Sequence, residues 1–203
     1  MKDELMPEAI ELGGHDALVI VDVQKDFLPG GKLAVARGDE VVPVLNRYIE
    51  LALSKGMAVY ATRDWHPPNH ISFKERGGPW PPHCVVDTEG AQFADDLLLP
   101  SSAVIISKGW KENEDTYSGF QGTDLDQKLR SAGIQRLLIG GLATDYCVLN
   151  TVKDALRLGF GVFLLTDAIK AVNINPEDGK KAQEEMISLG AIPVKWDVLK
   201  RSN

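Results

Sequence analysis

Three residues whose types suit nucleophilic catalysis lie at or just after the ends of short apolar runs. These residues are Asp22, Lys108 and Cys147. A carboxylate can take the proton of a thiol, the thiolate is a strong nucleophile, and a lysine can balance the negative charges. If the three residues meet in space, they predict a catalytic site in which Cys147 is the nucleophile. The alternative is a structural Asp–Lys pair beside an inert, buried cysteine.

The residues that follow Cys147 predict a helix that starts close to the thiol. The apolar positions from Val148 to Leu156 have helical spacing, and Gly159 can end the helix. Thr144 or Asp145 is expected to cap its first turn. Because the unpaired N–H groups and the dipole of a first turn favour an anion, we expect a lowered pKa for Cys147. These N–H groups can also hold an oxyanion.

A second group of polar residues falls in the irregular stretch 63–87 and indicates metal binding. Asp64 and His66 are two residues apart, so in extended backbone their side chains point the same way. His83, among prolines that restrict the backbone, is a candidate third ligand. Two imidazoles and a carboxylate suit Zn, Fe or Mn and leave positions for water or substrate. The alternative is a solvated polar loop. Cys84 is a candidate soft ligand, but we interpret it as a packing residue.

Alternating strand and helix patterns predict the elements that must position these residues. The predicted strands are 16–23, 57–62, 103–107, 136–140, 161–166 and 191–195. The predicted helices are 41–55, 124–132, 177–189 and the helix that has Cys147 in its first turn and stops at Gly159. This order predicts a six-stranded, mainly parallel, Rossmann-like sheet in a three-layer α/β/α arrangement. Ligands of such folds bind outside the carboxyl ends of the strands, which is where the candidate residues lie. We expect one domain over residues 1–203, with residues 1–15 as a frayed arm.

Composition narrows the classes of partner. The 203 residues carry a net charge of -7, which argues against nucleic acid or an anionic membrane as a partner. No apolar run approaches the ~20 residues of a membrane span. Two cysteines without a secretory signal predict a reducing cytoplasm. Gly140-Gly141 lacks the third glycine of a dinucleotide-binding motif, so that function is disfavoured. The oligomeric state stays open, a homo-oligomer included.

Several short motifs occur in a fixed order over about residues 17 to 195. They are Leu18–Phe27, Asp64–Phe73, Trp80–Cys84, Ser107–Gly109, Tyr117–Phe120 and Gly141–Val148. Each motif alone is weak, but the ordered set resembles the isochorismatase-like cysteine hydrolases, and within them the nicotinamidases, also called pyrazinamidases. Relatives that cleave isochorismate or N-carbamoyl compounds generally lack the Asp-x-His and Trp-Pro-x-His pair.

The resemblance implies a role for the residues around the thiol. It implies a catalytic triad formed by Cys147, Asp22 and Lys108. It also implies a cis peptide bond before Ala143, and an oxyanion hole formed by the N–H groups of Ala143 and Cys147.

The resemblance also implies a metal centre and a substrate pocket. The metal is expected to be held by Asp64, His66 and His83, with waters completing the shell. Glu75 and His70 are both candidates for a further ligand. A divalent metal is expected, Zn2+ first, with Fe2+ and Mn2+ as alternatives. The residues expected to form the wall of a pocket for the substrate ring are Phe27, Leu33, Trp80 and Tyr117.

The implied reaction is hydrolysis of nicotinamide to nicotinate and ammonia, a step of NAD salvage, by way of a thioester on Cys147. Pyrazinamide is an expected further substrate. One alternative is another small-amide hydrolase of the same family. Another is a non-catalytic, metal-binding protein of this fold, although the intact set of Asp, Lys and Cys argues against it.

Overall fold

The sheet at the centre of the computed structural model, which describes residues 10–201, has six parallel strands in the order β3-β2-β1-β4-β5-β6. The strands are β1 (Asp16–Val21), β2 (Ala58–Asp64), β3 (Val104–Lys108), β4 (Arg136–Leu142), β5 (Gly161–Lys170) and β6 (Ile192–Val194). The α-helices are α1 (Val41–Ser54), α2 (Leu125–Ser131), α3 (Leu149–Arg157), α4 (Asp178–Ser188) and α5 (Trp196–Arg201). None of these helices is both long enough and apolar enough to cross a bilayer.

Both faces of the sheet are buried, which explains why the strands read as continuous apolar runs. In β1, Val19 and Val21 belong to one apolar cluster, whereas Leu18 and Ile20 belong to the other. Helices α1 and α5 contribute to the cluster of Leu18, and helices α2, α3 and α4 contribute to the cluster of Val19. The predicted three-layer α/β/α fold is therefore confirmed.

The order of the strands places a switch point between β1 and β4. From β1 the chain adds β2 and β3 on one side and then returns to add β4 on the other side. The loops that leave β1 and β4 therefore diverge and open a crevice at the carboxyl edge. Asp22 directly follows β1, and Cys147 lies in the segment that follows β4.

Several boundaries differ from the sequence predictions. Strands β2 and β3 extend to Asp64 and Lys108, which are paired in the sheet register rather than lying in loops. Strand β5 continues to Lys170 after a register shift against β4, and helix α5 was not predicted. Residues 1–9 of the predicted arm lie outside the described residues, and Ile10 and Leu12 pack on the apolar core.

Candidate active site and metal centre

The ammonium group of Lys108 joins the three candidate catalytic residues. Its Nζ lies 2.8 Å from Asp22 Oδ2 and donates a hydrogen bond to Cys147 Sγ at 3.4 Å. Lys108 and Asp22 are fully buried, and Cys147 is 6% exposed. The fold thus brings together an acid–base group, a cation and a thiol from the ends of three different strands.

Asp22 is held so that one of its oxygens can receive a proton. The Thr62 hydroxyl donates to Oδ1 at 2.7 Å. Oδ2 forms the ion pair with Lys108 without the geometry of a hydrogen bond. A carboxylate oxygen of Asp22 lies within 4.8 Å of Cys147 Sγ. Burial raises the pKa of Asp22, although Lys108 opposes this shift. The raised pKa that results suits a carboxylate that takes up and releases a proton during a reaction.

The backbone before Cys147 is irregular. The Leu142–Ala143 peptide bond is cis, as the resemblance implies. Residues Thr144–Val148 form a π-helical turn that leads into α3, and no side chain caps this turn. The predicted cap by Thr144 or Asp145 is therefore wrong. The Asp145 carboxylate instead accepts hydrogen bonds from the N–H groups of Val172 and Asn173.

The predicted lowering of the Cys147 pKa is also wrong. Burial raises the pKa of Cys147 well above its ordinary value, and Lys108 does not outweigh burial and the nearby carboxylates of Asp22 and Asp64. The prediction failed because it considered only the local dipole. A thiol in this environment would need a base in order to act as a nucleophile.

Asp64, His66 and His83 form a buried group that fits a divalent metal. Their ligand atoms all lie within 4.8 Å of one another, and the Nε2 atoms of His66 and His83 lie 3.6 Å and 4.0 Å from Asp64 Oδ2. The Nδ1 atoms face the carbonyl oxygens of Gly109 and Pro81, each at 2.8 Å. Because a carbonyl only accepts, Nδ1 carries the proton and Nε2 offers a lone pair to a metal.

Neither candidate for a further ligand joins this group. The ring of His70 stacks on that of His66, with 4.1 Å between centroids. His70 Nε2 faces the carbonyl oxygen of Glu114 at 3.0 Å, and its Nδ1 contacts the Ser72 hydroxyl at 2.7 Å. Both nitrogens are therefore engaged. Glu75 is exposed on a short 3-10 turn.

Asp64 connects the candidate metal ligands to the candidate catalytic residues. Its Oδ1 accepts a hydrogen bond from Lys108 at 2.5 Å, while its Oδ2 faces the two imidazoles. Burial raises the pKa of Asp64, but Lys108 and His66 more than offset this effect and hold it below its ordinary value. The carboxylate oxygens of Asp22 and Asp64 and the sulfur of Cys147 also lie close enough together to hold a metal. The Lys108 ammonium, however, already contacts all three residues.

A small cavity opens onto both the thiol and the metal group. It is lined by Phe27, Leu33, Asp64, Trp80, His83, Tyr117, Ala143, Tyr146, Cys147 and Val172. All four residues that the resemblance placed around a substrate ring are thus found in its wall. Larger clefts of about 440 Å³ and 560 Å³ lie elsewhere and contain neither Cys147 nor the metal group.

Comparison with known proteins agrees with this geometry. Residues 16–198 match the model of the isochorismatase domain. The chain belongs to the isochorismatase family. It is 44% identical to a nicotinamidase of Escherichia coli (strain K12) over 86% of this chain and 92% of that protein. These findings confirm the predicted resemblance and the prediction that the chain is an enzyme.

Solved structures give the same result. The pyrazinamidase of Pyrococcus horikoshii in complex with zinc is 52% identical, with a TM-score of 0.86 over 90% of this chain and 99% of that chain. The PnC1 protein of L. infantum in complex with nicotinate is 36% identical, with a TM-score of 0.85 over 94% of this chain and 98% of that chain.

Two cavity residues of this isochorismatase-family chain escaped the sequence analysis. The ring of Tyr146 packs edge-on against Trp80, with 4.9 Å between centroids, and Trp80 Nε1 donates to the Tyr117 hydroxyl at 3.0 Å. Burial raises the pKa of Tyr117 to about 12, so it stays neutral. Tyr146 could have been found from its place next to Cys147. Val172 follows β5 and was missed because that strand was predicted too short.

The stability of this family member is expected to depend on Lys108. In chelator-treated protein, Lys108→Met should lower the free energy of unfolding by about 3–5 kcal/mol, because Asp22 and Asp64 would stay buried without a cation. Urea denaturation measures the change. The control is Lys128→Met, which removes an exposed ion pair with Asp124 and should cost less than about 1 kcal/mol. Equal losses in the two variants would contradict the expectation.

Proposed function

We propose that this chain hydrolyses nicotinamide to nicotinate and ammonia through a thioester on Cys147. The observation that carries the proposal is that Cys147 and the metal-site residues Asp64 and His83 line one aromatic-walled cavity. A pyridine ring with a carboxamide substituent has two polar ends that suit this arrangement. The nicotinamidase, pyrazinamidase and nicotinate-complex relatives support this choice of substrate.

In the proposed mechanism, Asp22 moves protons and Cys147 carries the acyl group. Asp22 Oδ2 takes the proton of Cys147 Sγ, and the sulfur attacks the amide carbon. When the tetrahedral intermediate collapses, Asp22 returns the proton to the leaving nitrogen and ammonia departs. A water molecule that gives a proton to Asp22 then cleaves the thioester. Asp22 then returns this proton to Sγ as the second tetrahedral intermediate collapses, and the acid product leaves as nicotinate after its carboxyl group loses a proton to solvent.

Two groups stabilise charge during these steps. The N–H groups of Ala143 and Cys147 are proposed to hold the oxyanion, since both residues line the cavity. Lys108 touches Asp22 and Cys147, so its ammonium offsets whichever of the two is negative. The base requirement agrees with the raised pKa of the Cys147 thiol.

A divalent metal held by Asp64, His66 and His83 is part of the proposal. When bound, it would supply a Lewis-acidic position for the ring nitrogen, directly or through a bound water, and would so orient the substrate. Zn2+ is the proposed ion, because two neutral imidazoles and a carboxylate form a three-ligand set typical of zinc enzymes. The zinc complex of the pyrazinamidase relative supports it. Phe27, Leu33, Trp80 and Tyr117 are proposed to pack around the ring.

The remaining parts of the proposal concern the cellular setting. Both cysteines are free thiols, which suits a cytoplasmic enzyme. The reaction would serve NAD salvage by converting nicotinamide to nicotinate. One catalytic domain over residues 1–203 that acts on a small molecule is sufficient for this activity.

A panel of amides tests the proposal. Zinc-loaded protein should release ammonia from nicotinamide and from pyrazinamide, each of which has a ring nitrogen that the metal can bind. Benzamide has the same shape without that nitrogen and should be hydrolysed about 100-fold or more slowly, because the metal position would be left unused. If benzamide were hydrolysed faster than nicotinamide, the chain would be another small-amide hydrolase. If none of the three amides released ammonia, the proposed function would be refuted.

A further inference from the structure

Two buried polar side chains that follow β1 have no part in the proposed chemistry. Gln24 is fully buried and Asp26 is 4% exposed. We propose that both are positioning residues that support the metal centre, Gln24 through Asp64 and Asp26 through Cys84. This inference rests on the proposed metal site, and it concerns how the chain holds the ligands rather than which residues they are.

Gln24 makes hydrogen bonds with both backbone groups of Asp64. Its Nε2 donates to the Asp64 carbonyl at 2.8 Å, and its Oε1 accepts from the Asp64 N–H at 2.8 Å. Strand β1 ends at Val21, so no strand residue of β1 pairs with Asp64, which on its other side pairs with Lys108. The Gln24 amide takes the place of the missing peptide group, since it offers both a donor and an acceptor.

The consequence for Asp64 concerns its orientation. Its two oxygens serve different partners, Lys108 on one side and the imidazoles on the other. A small rotation of the Asp64 backbone would misdirect both oxygens. Gln24 and the β3 pairing together hold that backbone from two sides.

Asp26 supports the segment that carries the imidazoles. Its Oδ2 accepts a hydrogen bond from the Cys84 N–H at 2.8 Å. The Cys84 carbonyl in turn accepts from the His66 N–H at 3.0 Å. Cys84 also directly follows His83 in the chain. One residue fixed by Asp26 is therefore joined to both metal-binding histidines.

A single loop closes over the two supports. The Ala91 carbonyl accepts the second hydrogen bond of Gln24 Nε2, at 2.9 Å. At Gly90, a Cβ atom would overlap the Asp26 carboxylate, so glycine is needed there for space. Because the loop packs directly on Asp26 and bonds to Gln24, the two side chains act as one buried unit.

The test compares two amide-to-acid variants. Gln24→Glu keeps an acceptor for the Asp64 N–H but loses the donor to the carbonyls. The control is Asn46→Asp, because the Asn46 amide likewise donates to a backbone carbonyl, that of Asp96 at 2.8 Å, and accepts from a backbone N–H, that of Leu98 at 2.9 Å. None of these three residues lines the cavity. Zinc affinity is measured by competition with a chromophoric chelator, and the absorption spectrum of the cobalt-loaded protein reports the ligand geometry.

Gln24→Glu should bind zinc about 10–100-fold more weakly and change the cobalt spectrum, as is usual when an outer partner of a metal ligand is lost. Asn46→Asp should match the unmodified chain in both measurements. Unchanged affinity and spectrum in Gln24→Glu would overturn the inference alone. A lack of zinc binding by the unmodified chain would overturn the proposed metal site and the inference with it.

A second variant covers the case in which Gln24→Glu does not fold. Asp26→Asn keeps the shape of the side chain but leaves one acceptor oxygen for the two N–H groups, those of Cys84 and Lys32, that the carboxylate serves. It should therefore weaken zinc binding about 10-fold. Unchanged zinc affinity in this variant would overturn the inference. If neither variant folds, the two residues are purely structural and the inference is likewise overturned.

Discussion

Replacing Cys147 with alanine is expected to lower kcat for nicotinamide by at least ~10⁴-fold while leaving the fold intact. The lining of the cavity contains no other thiol, and burial raises the pKa of both tyrosine hydroxyls in it, those of Tyr117 and Tyr146, so both are poor nucleophiles. Turnover is measured by ammonia release. Mass spectrometry of quenched reactions should show an acyl adduct on the unmodified protein and none on Cys147→Ala.

Cys84→Ala is the matched control for this prediction. Cys84 is also a buried free thiol, but its sulfur contacts the Gly90 carbonyl and does not line the cavity. Its removal should change kcat only a few-fold. The nucleophile assignment would fail if Cys147→Ala kept substantial activity, or if the adduct formed on Cys84.

Removal of the metal is expected to lower kcat/KM for nicotinamide by about 100-fold or more, because the ring nitrogen loses its binding position. Chelation and His66→Ala should give similar losses. Alkylation of Cys147 by iodoacetamide should also slow, but less, about 10-fold. This smaller effect is expected because Asp64, a proposed metal ligand, links the metal to the thiol. Its Oδ1 bonds to Lys108, and Lys108 in turn contacts Cys147.

His15→Ala serves as the control for His66→Ala. His15 is exposed before β1, at the opposite edge of the sheet, where its Nδ1 contacts the Gly133 carbonyl. It should leave both rates unchanged. Turnover that survives metal removal would refute the metal role. An unchanged alkylation rate beside lost turnover would show that the link through Asp64 and Lys108 does not reach the thiol.

The amino-acid sequence alone determined the layout of the protein. Apolar runs that are buried on both faces identify parallel strands, and amphipathic stretches between them identify helices, because both patterns are local consequences of backbone geometry. The strand-end rule then placed Asp22, Lys108 and Cys147 at one edge of the sheet, where the structure has them. The ordered motifs identified the family.

The tertiary structure alone decided how the candidate residues act on one another. In the sequence the candidate catalytic residues and the candidate metal ligands form two separate groups, whereas the structure joins them through the bond between Asp64 and Lys108. The sequence predicted a lowered pKa for Cys147, but burial and the carboxylates of Asp22 and Asp64 raise that pKa.

The hydrogen-bond partners of the buried polar residues could not be predicted from the sequence either. Both nitrogens of His70 are engaged by hydrogen bonds, and Gln24 holds a residue that lies 40 positions further along the chain. A periodic pattern reports which face of an element is buried. Desolvation, charge compensation and hydrogen-bond partners depend on residues that only folding brings within a few ångströms, so a local pattern does not contain them.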